Sequence, residues 1–414
     1  MFRYQNDVLS VVQGPQSVAV ADLVGQDPAY IYDLDGIIER YQFVAQSFEN
    51  KASVHFAMKA NNNPKILKAL AKAGCGVDVV SGGELKRALE CGFAANKIVF
   101  SGVGKTEKEI EQALKAGVFQ INLESSPELQ RVIQLTLKLK PSTKPRLAIR
   151  VNPDVNPETH PNIKTGFRDN KFGLDFEEIP ELLKIFEQNK SLVSLVGLTL
   201  HIGSQIREAS PFFEAIDKTL KLYKEIEKKG FFLETFDVGG GFGIDYSQPG
   251  LDGKPKLVQT FMAEEKAYEE YTAHIMKKLK SEVKQILTEP GRFIVGHFGV
   301  LVSEIQYIKR TPYKSFAILN SGMNHLMRPA LYEAYNHISP LNWSPTSAQE
   351  KFDIVGPICE STDVFGFDRY LPKDIKQGDH LAIFDAGAYG AVMANDYNLH
   401  ALPVETVVSK GKVI

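Results

Sequence analysis

Cysteine is scarce in this sequence. Cys75, Cys91 and Cys359 are the three among 414 residues, odd in number and far apart, which excludes a disulfide framework and a cysteine zinc site. Neither sign of charge is in excess. The formal net charge is −2 with 24% charged residues, so there is no basic footprint for nucleic acid and no cationic run for a membrane surface. Long apolar runs are missing as well: the longest, around 293–302, is broken by His297 and is too short to span a bilayer. Residues 1–14 carry Arg3 and Asp7 and have no signal-peptide core. No repeat of fixed period and no low-complexity segment stands out. The expectation is a cytoplasmic globular protein with no metal, no nucleic-acid partner and no membrane partner.

What is present is length and alternation. A chain of 414 residues exceeds one ordinary domain and suits two. Segments 53–58, 76–81, 97–102, 119–124, 146–152, 195–201, 235–239 and 285–289 read as strands, and helical patterns such as 64–73, 106–116, 126–139 and 261–280 lie between them. Strands alternating with helices predict parallel pairing, and eight of them predict a closed (β/α)8 barrel, placed at 29–292. Residues 29–34 read as a further strand, with Asp35 capping a helix that runs to about Phe48. Beyond Arg292 the pattern changes. Strands at 293–310, 315–320, 351–355, 380–384 and 404–408, separated by turns, predict a second, mainly β domain at 293–414. Residues 1–28 read as irregular and are expected to join it. The Gly- and Pro-rich segment 245–256 reads as a loop above the seventh barrel strand.

Polar residues gather at the predicted strand ends, where a barrel keeps its active site. Lys59 follows the first strand. A lysine there either snorkels to water or is used covalently, as a Schiff-base lysine for an aldehyde cofactor. Asp78 lies on the second strand, and Arg150 and Asn152 end the fifth. His201, Ser204 and Gln205 follow the sixth, Gly239, Gly240 and Gly241 the seventh, and Glu289, Pro290, Gly291 and Arg292 the eighth. The glycines form a plain turn or a phosphate cradle of backbone N–H groups, and the dinucleotide spacing is absent. Glu289 is a surface acid, or it faces a pyridine nitrogen and keeps it protonated, which strengthens an electron sink. Arg292 is structural, or it grips a carboxylate bidentately. His201 is a core histidine or a flat ring stacked on a planar cofactor. Cys359, beside Glu360, is a small buried hydrophobe or a thiol acid able to protonate a carbanion. The turn-rich segments 327–332, 356–363 and 385–390 collect further polar residues.

In number and order these segments resemble the diaminopimelate decarboxylase family, fold-type III pyridoxal-phosphate enzymes akin to alanine racemase and ornithine decarboxylase. The resemblance runs from Ala29 to Asn398. It implies decarboxylation of meso-2,6-diaminopimelate to L-lysine, with carboxynorspermidine, another amino acid, or racemisation as the alternatives. It implies pyridoxal 5'-phosphate bound to Lys59, stacked on His201 and held by Ser204, Gly240, Gly241, Gly291 and Arg292, with Glu289 on the ring nitrogen and Tyr389 nearby. Asp78 and Arg150 match polar positions near the lysine. Arg292, Arg328 and Tyr332 would take the distal carboxylate of the substrate, Glu360 its distal ammonium, and Tyr389 a contact beside them. Cys359 would be the proton donor. The family implies a homodimer in which Cys359 and Glu360 reach into the partner's site. The pairing of Cys359 with Glu360, where amine-decarboxylating relatives carry Asp, points to a substrate ending in an amino acid group.

Overall fold

The structure is a computed structural model that describes residues 1–155, 170–246, 258–343 and 347–414. Most of the 245–256 loop expected above the seventh strand lies outside these residues. The chain divides into two compact units: one is Tyr41–Gly243 with Glu265–Gly291, the other Met1–Arg40 with Ile244–Glu264 and Arg292–Ile414.

In the first unit, Ala52–Ala57, Gly76–Val79, Ile98–Phe100, Gln120–Leu123, Arg146–Val151, Ser194–Leu200, Thr235–Asp237 and Gln285–Thr288 are parallel and close into an eight-stranded barrel. Closure is made by the last strand pairing with the first, Leu287 opposite Ser53. These are the eight strands expected from the sequence. Short apolar runs such as Ile98–Phe100 are buried on both faces, as a strand between barrel core and helix layer must be. The intervening helices bury one stripe each: Ile66, Leu67 and Leu70 in Pro64–Lys72, and Ile110, Ala113 and Leu114 in Glu107–Ala116. Their starts are fixed by side-chain caps. Ser81 accepts the N–H of Glu84, Ser125 that of Glu128, and Thr106 forms a reciprocal capping box with Glu109.

The sixth strand carries a register shift between Leu195 and Gly197 against the fifth. A Cβ on Gly197 would meet Thr235 Oγ1 at 2.1 Å and Thr235 O at 2.2 Å, so only glycine lets the sixth and seventh strands approach here.

The second unit is mainly β. Residues expected to be irregular form a three-stranded antiparallel sheet, Phe2–Gln5, Val8–Gln13 and Gln16–Ala19. The cause is turn chemistry: Gln5 pairs with Val8 across Asn6 and Asp7, which sit at φ 49 and 65, the left-handed pair that a two-residue hairpin demands. The strand Ala29–Asp33, expected with the barrel, instead lies in a nine-stranded sheet. It runs antiparallel to Gly299–Arg310 and parallel to Val404–Ser409. A central strand buried on both faces has the same apolar pattern in either sheet. The helix that follows, Leu34–Ser47, is capped by Asp33, whose Oδ1 accepts the Gly36 N–H at 3.2 Å; Asp35 accepts from Ser409 and Lys410.

Residues 293–298, expected to open a long strand, form the short helix Arg292–Val295 and a 3-10 turn, Gly296–Phe298. Phe293, Ile294 and Val295 are all buried, and an apolar run without periodicity cannot announce which structure it takes. The strand Val364–Pro372, which the sequence reading lacks, shifts register against Gln349–Val355 between Gly366 and Arg369, where Asp368 stands at φ 52. The core of this unit is built from Leu9, Val11, Ile31, Val300, Ala382 and Val408. Among the described residues no helix is long and apolar enough to cross a membrane. Gly197→Ala is expected to cost about 1–3 kcal/mol of stability by overpacking, read as a lower denaturation midpoint at an unchanged denaturant slope.

Candidate active site

Lys59 lies in the single 3-10 turn Met58–Ala60 that follows the first barrel strand, at its carboxyl end. Asn63, capping the next helix, and Asn61, accepting the Asn63 N–H, fold the chain back at once. The Lys59 amine donates to Asp78 Oδ2 at 2.9 Å, with the lysine side chain 35% exposed and the aspartate fully buried. Lys105, after the third strand, is the contrasting case: it is buried and donates at 2.7 Å to Gly102 O, Asn122 O and Glu128. That lysine is structural, whereas Lys59 is both ion-paired and reachable.

Two further acids close the same barrel end. Asp237 ends the seventh strand and Glu289 follows the eighth; both are buried. Burial, together with Asp237 and Asp78, drives the Glu289 carboxyl well above its ordinary range. Burial also pushes Asp237 up to about 6. The pair therefore retains a proton near neutrality. Asn122 lies 3.5 Å from Glu289 Oε1 and donates to Ser101 at 3.0 Å; Gln120 donates to Asn122, and Thr235 to Gln120. This polar chain through the barrel interior was not read from the sequence, because alternate inward positions on short buried strands look apolar in aggregate.

His201 follows the sixth strand, and its Nδ1 accepts the Gly240 N–H at 3.4 Å. Burial, with Arg150 and Lys59 adding, moves its pKa well below the ordinary histidine value. The ring is neutral, which the acceptor role of Nδ1 requires. Ser204 belongs to a loop that pairs with the glycine segment: Ile206 N donates to Gly241 O and Gly243 N to Ile206 O. A Cβ on Gly240 would stand 2.1 Å from Glu289 O, and one on Gly241, at φ +104, 2.2 Å from Gly203 O. The three strand ends after strands six, seven and eight meet at these glycines. Gly291 lies against Ala57 and Ala60, and Ala57 N donates to Pro290 O, so the Glu289–Gly291 turn abuts the Lys59 turn. Arg150, by contrast, is committed to a buried ion pair with Glu124 at 2.6 Å.

In the β unit, Arg292 and Arg328 are buried beside tyrosines. Arg292 Nη1 donates to the Tyr246 hydroxyl at 2.7 Å and its guanidinium lies 4.6 Å from the Tyr389 ring centre. Arg328 lies 4.0 Å over the Tyr246 ring and donates to Asn336. Tyr332 interacts electrostatically with both arginines. Burial, with Arg292 adding, lowers the Arg328 guanidinium. Tyr246 was missed at the sequence level, although it stands at the start of the loop already marked as unusual.

Cys359 is exposed, which removes the reading of a small buried hydrophobe. Asp363 staples its turn by accepting the N–H groups of Met323 at 2.6 Å and Ile358 at 2.7 Å. Glu360 accepts from Tyr397 Oη at 2.6 Å and Thr362 Oγ1 at 3.2 Å. Among the described residues no cluster of His, Cys, Asp and Glu suits a metal ion.

A parallel barrel with a reachable lysine at a strand end, backed by proton-holding acids, defines a class of aldehyde-cofactor enzymes. Residues 34–296 match the family described as "Pyridoxal-dependent decarboxylase, pyridoxal binding domain", and the chain belongs to it. Its relatives include a diaminopimelate decarboxylase of Aquifex aeolicus, 40% identical over 389 residues (93% of this chain, 87% of that one). Another, from Bacteroides thetaiotaomicron, is 40% identical over 381 residues (91% and 94%). The crystal structure of diaminopimelate decarboxylase from Helicobacter pylori complexed with L-lysine matches with a TM-score of 0.86 at 36% identity, covering 95% of this chain and 94% of that one.

Pyridoxal phosphate is the cofactor, and the residues fit it on an observation made in this fold. Burial and mutual repulsion leave the pair Asp237–Glu289 holding a proton, and a ring nitrogen is the base that such a proton suits. Because the folded Glu289 carboxyl binds its proton more tightly than the unfolded one does, the apoprotein loses stability as pH rises above about 4.5 toward the folded value. Glu289→Gln removes that cost. The apo variant is expected to be more stable than the parent at pH 8, with the difference fading toward pH 4, measured by denaturant melts.

Proposed function

We infer that the chain catalyses the pyridoxal-phosphate-dependent decarboxylation of meso-2,6-diaminopimelate to L-lysine and carbon dioxide, the last step of lysine biosynthesis, and that it does so in the cytoplasm as a homodimer. The observation that carries the substrate is the buried pair Arg292 and Arg328 with Tyr246, Tyr332 and Tyr389 around it. Two guanidinium groups suit a distal carboxylate and repel the bare ammonium of an amine-ended substrate. Relatives named diaminopimelate decarboxylase, two of them solved with L-lysine, support the same reading.

The bound cofactor supplies the electron sink that takes up the pair left when carbon dioxide departs. The remaining tasks fall to the chain. Lys59 holds the cofactor through its amine, and Asp78 orients that amine and balances its charge. Asp237 and Glu289 keep a proton at the ring nitrogen. The neutral His201 presents a flat face, and the glycine segment with Ser204 offers N–H and hydroxyl donors for the phosphate. Arg292, Arg328 and Tyr332 fix the substrate's far end, which selects the carboxylate that leaves. Glu360 takes the distal ammonium, and Cys359 holds a proton for the carbon that has lost its carboxylate.

The exposed position of Cys359 and Glu360 supports their service to a partner subunit's site. Lys59→Ala is expected to lose the absorbance of bound cofactor and carbon dioxide release from meso-diaminopimelate; full activity in that variant would remove the assignment. Lys59→Ala and Glu360→Ala subunits, each nearly inactive alone, are expected to regain about a quarter of parental activity when unfolded and refolded together, because half the dimers are mixed and each holds one intact site. Absence of recovery would argue for self-contained subunits.

A further inference from the structure

His297 is the one ionisable residue inside the apolar run that follows Arg292, and it is 6% exposed. Its ring is held on both sides, with Nδ1 2.7 Å from Asp385 Oδ1 and Nε2 2.7 Å from Glu264 Oε2. Ionised carboxylates only accept, so a ring flanked by two of them carries a hydrogen on each nitrogen. Against the downward pull of burial, Asp385 and Glu264 raise its pKa. The edge of the Phe261 ring arrangement completes the enclosure, 4.7 Å between ring centres.

Neither carboxylate ends its work at the histidine. Glu264 Oε1 accepts the backbone N–H of Asp245, the residue before Tyr246. Tyr246 in turn accepts from Arg292 at 2.7 Å and lies 4.0 Å beneath Arg328. On the other side, Asp385 at φ 57 opens the turn that ends in Tyr389 at φ 55, and the Tyr389 ring faces Arg292 at 4.6 Å. Left-handed backbone at residues other than glycine persists where its surroundings hold it. A single buried ring thus joins the two segments that carry the tyrosines beside the arginines. The link from Asp385 to Tyr389 runs along a short turn that is held to the histidine's own segment, Ala386 N donating to Gly299 O at 2.8 Å and Gly387 N to Gly296 O at 3.1 Å.

We propose that His297 is a positioning residue for substrate recognition: clasped between Glu264 and Asp385, it fixes Tyr246 and Tyr389 about Arg292 and so sets the grip of Arg292 and Arg328 on the substrate's distal carboxylate. This rests on the assignment of those arginines made above. Bidentate recognition of a carboxylate depends on the orientation of the guanidinium plane, and the tyrosines supply that orientation. His297 acts through them and not on the reacting atoms.

The test is steady-state kinetics on the holoenzyme with meso-diaminopimelate. His297→Gln can satisfy one carboxylate but not both. It is expected to raise KM about tenfold, as the loss of a hydrogen bond to a charged group does, with kcat within about threefold and the bound-cofactor absorbance retained. The double variant His297→Gln/Tyr246→Phe is expected to raise KM no further than the larger single effect, since the two residues act in series. Glu264→Gln, which keeps the shape and removes one charge, carries the same expectation should the histidine variant not fold. An unchanged KM in a folded, cofactor-loaded variant, or a full multiplication of the two single effects, would overturn the proposal. Turnover of meso-diaminopimelate by the parent enzyme is measured first; its failure would overturn the substrate assignment, while the role of His297 is then decided by KM for whichever substrate bearing a distal carboxylate is turned over.

Discussion

Buried negative charge without enough positive charge to match it is the constraint around which the barrel mouth is arranged. Asp78, Asp237 and Glu289 stand within electrostatic reach of one another and of a single ammonium, Lys59. Water is excluded from the acids, so the protein answers with a retained proton, an ion pair at 2.9 Å, and the amide chain through Gln120 and Asn122. Such an arrangement is unfavourable in isolation. It becomes sensible when a base with its own proton is meant to share the acids, which links the electrostatics of the barrel mouth to its chemistry.

The β unit faces the opposite problem. Arg292 and Arg328 place two cations in a buried setting, and phenol rings, hydroxyls and an amide hold them in place. Tyrosine is suited to this work because its ring attracts a guanidinium and its hydroxyl accepts a hydrogen bond without adding a full charge. The positive character is therefore kept for a ligand. Cation and anion surplus are assigned to different parts of the chain.

The barrel was legible because its signals are local. Alternating strand and helix patterns, Thr106 with Glu109 and the turn at Asn61–Pro64 all act over a few residues, and each appears where it was expected. The positions of Lys59, His201 and Glu289 at the carboxyl ends of strands were legible because each follows a strand pattern directly. The rest was hidden for physical reasons. Ala29–Asp33 could not be assigned to a sheet, since partners so distant in sequence leave no mark on its own five residues. Arg150 was recognised as a polar strand residue, but its commitment to Glu124 depends on a neighbouring strand. His297 was noticed as an interruption in an apolar run. Its two carboxylates come from far-removed segments, at Glu264 and Asp385, and nothing near it in sequence names them.

The placement of Ala29–Asp33 has a consequence for how the molecule is made. The strand sits between Gly299–Arg310 and Val404–Ser409, with Ala29 opposite both Val302 and Val404. The second pairing awaits the synthesis of a segment that follows every barrel strand. All eight barrel strands leave the ribosome before it, and domains complete during translation in the order in which their parts emerge. The early strand must therefore wait, with one edge unpaired, until Val404–Ser409 is made; closure between such remote partners is the slow step expected of high contact order. A nascent chain halted short of Val404 would leave this strand's edge open to adventitious pairing, so the vulnerability to aggregation lies in the order of assembly and not in the finished fold.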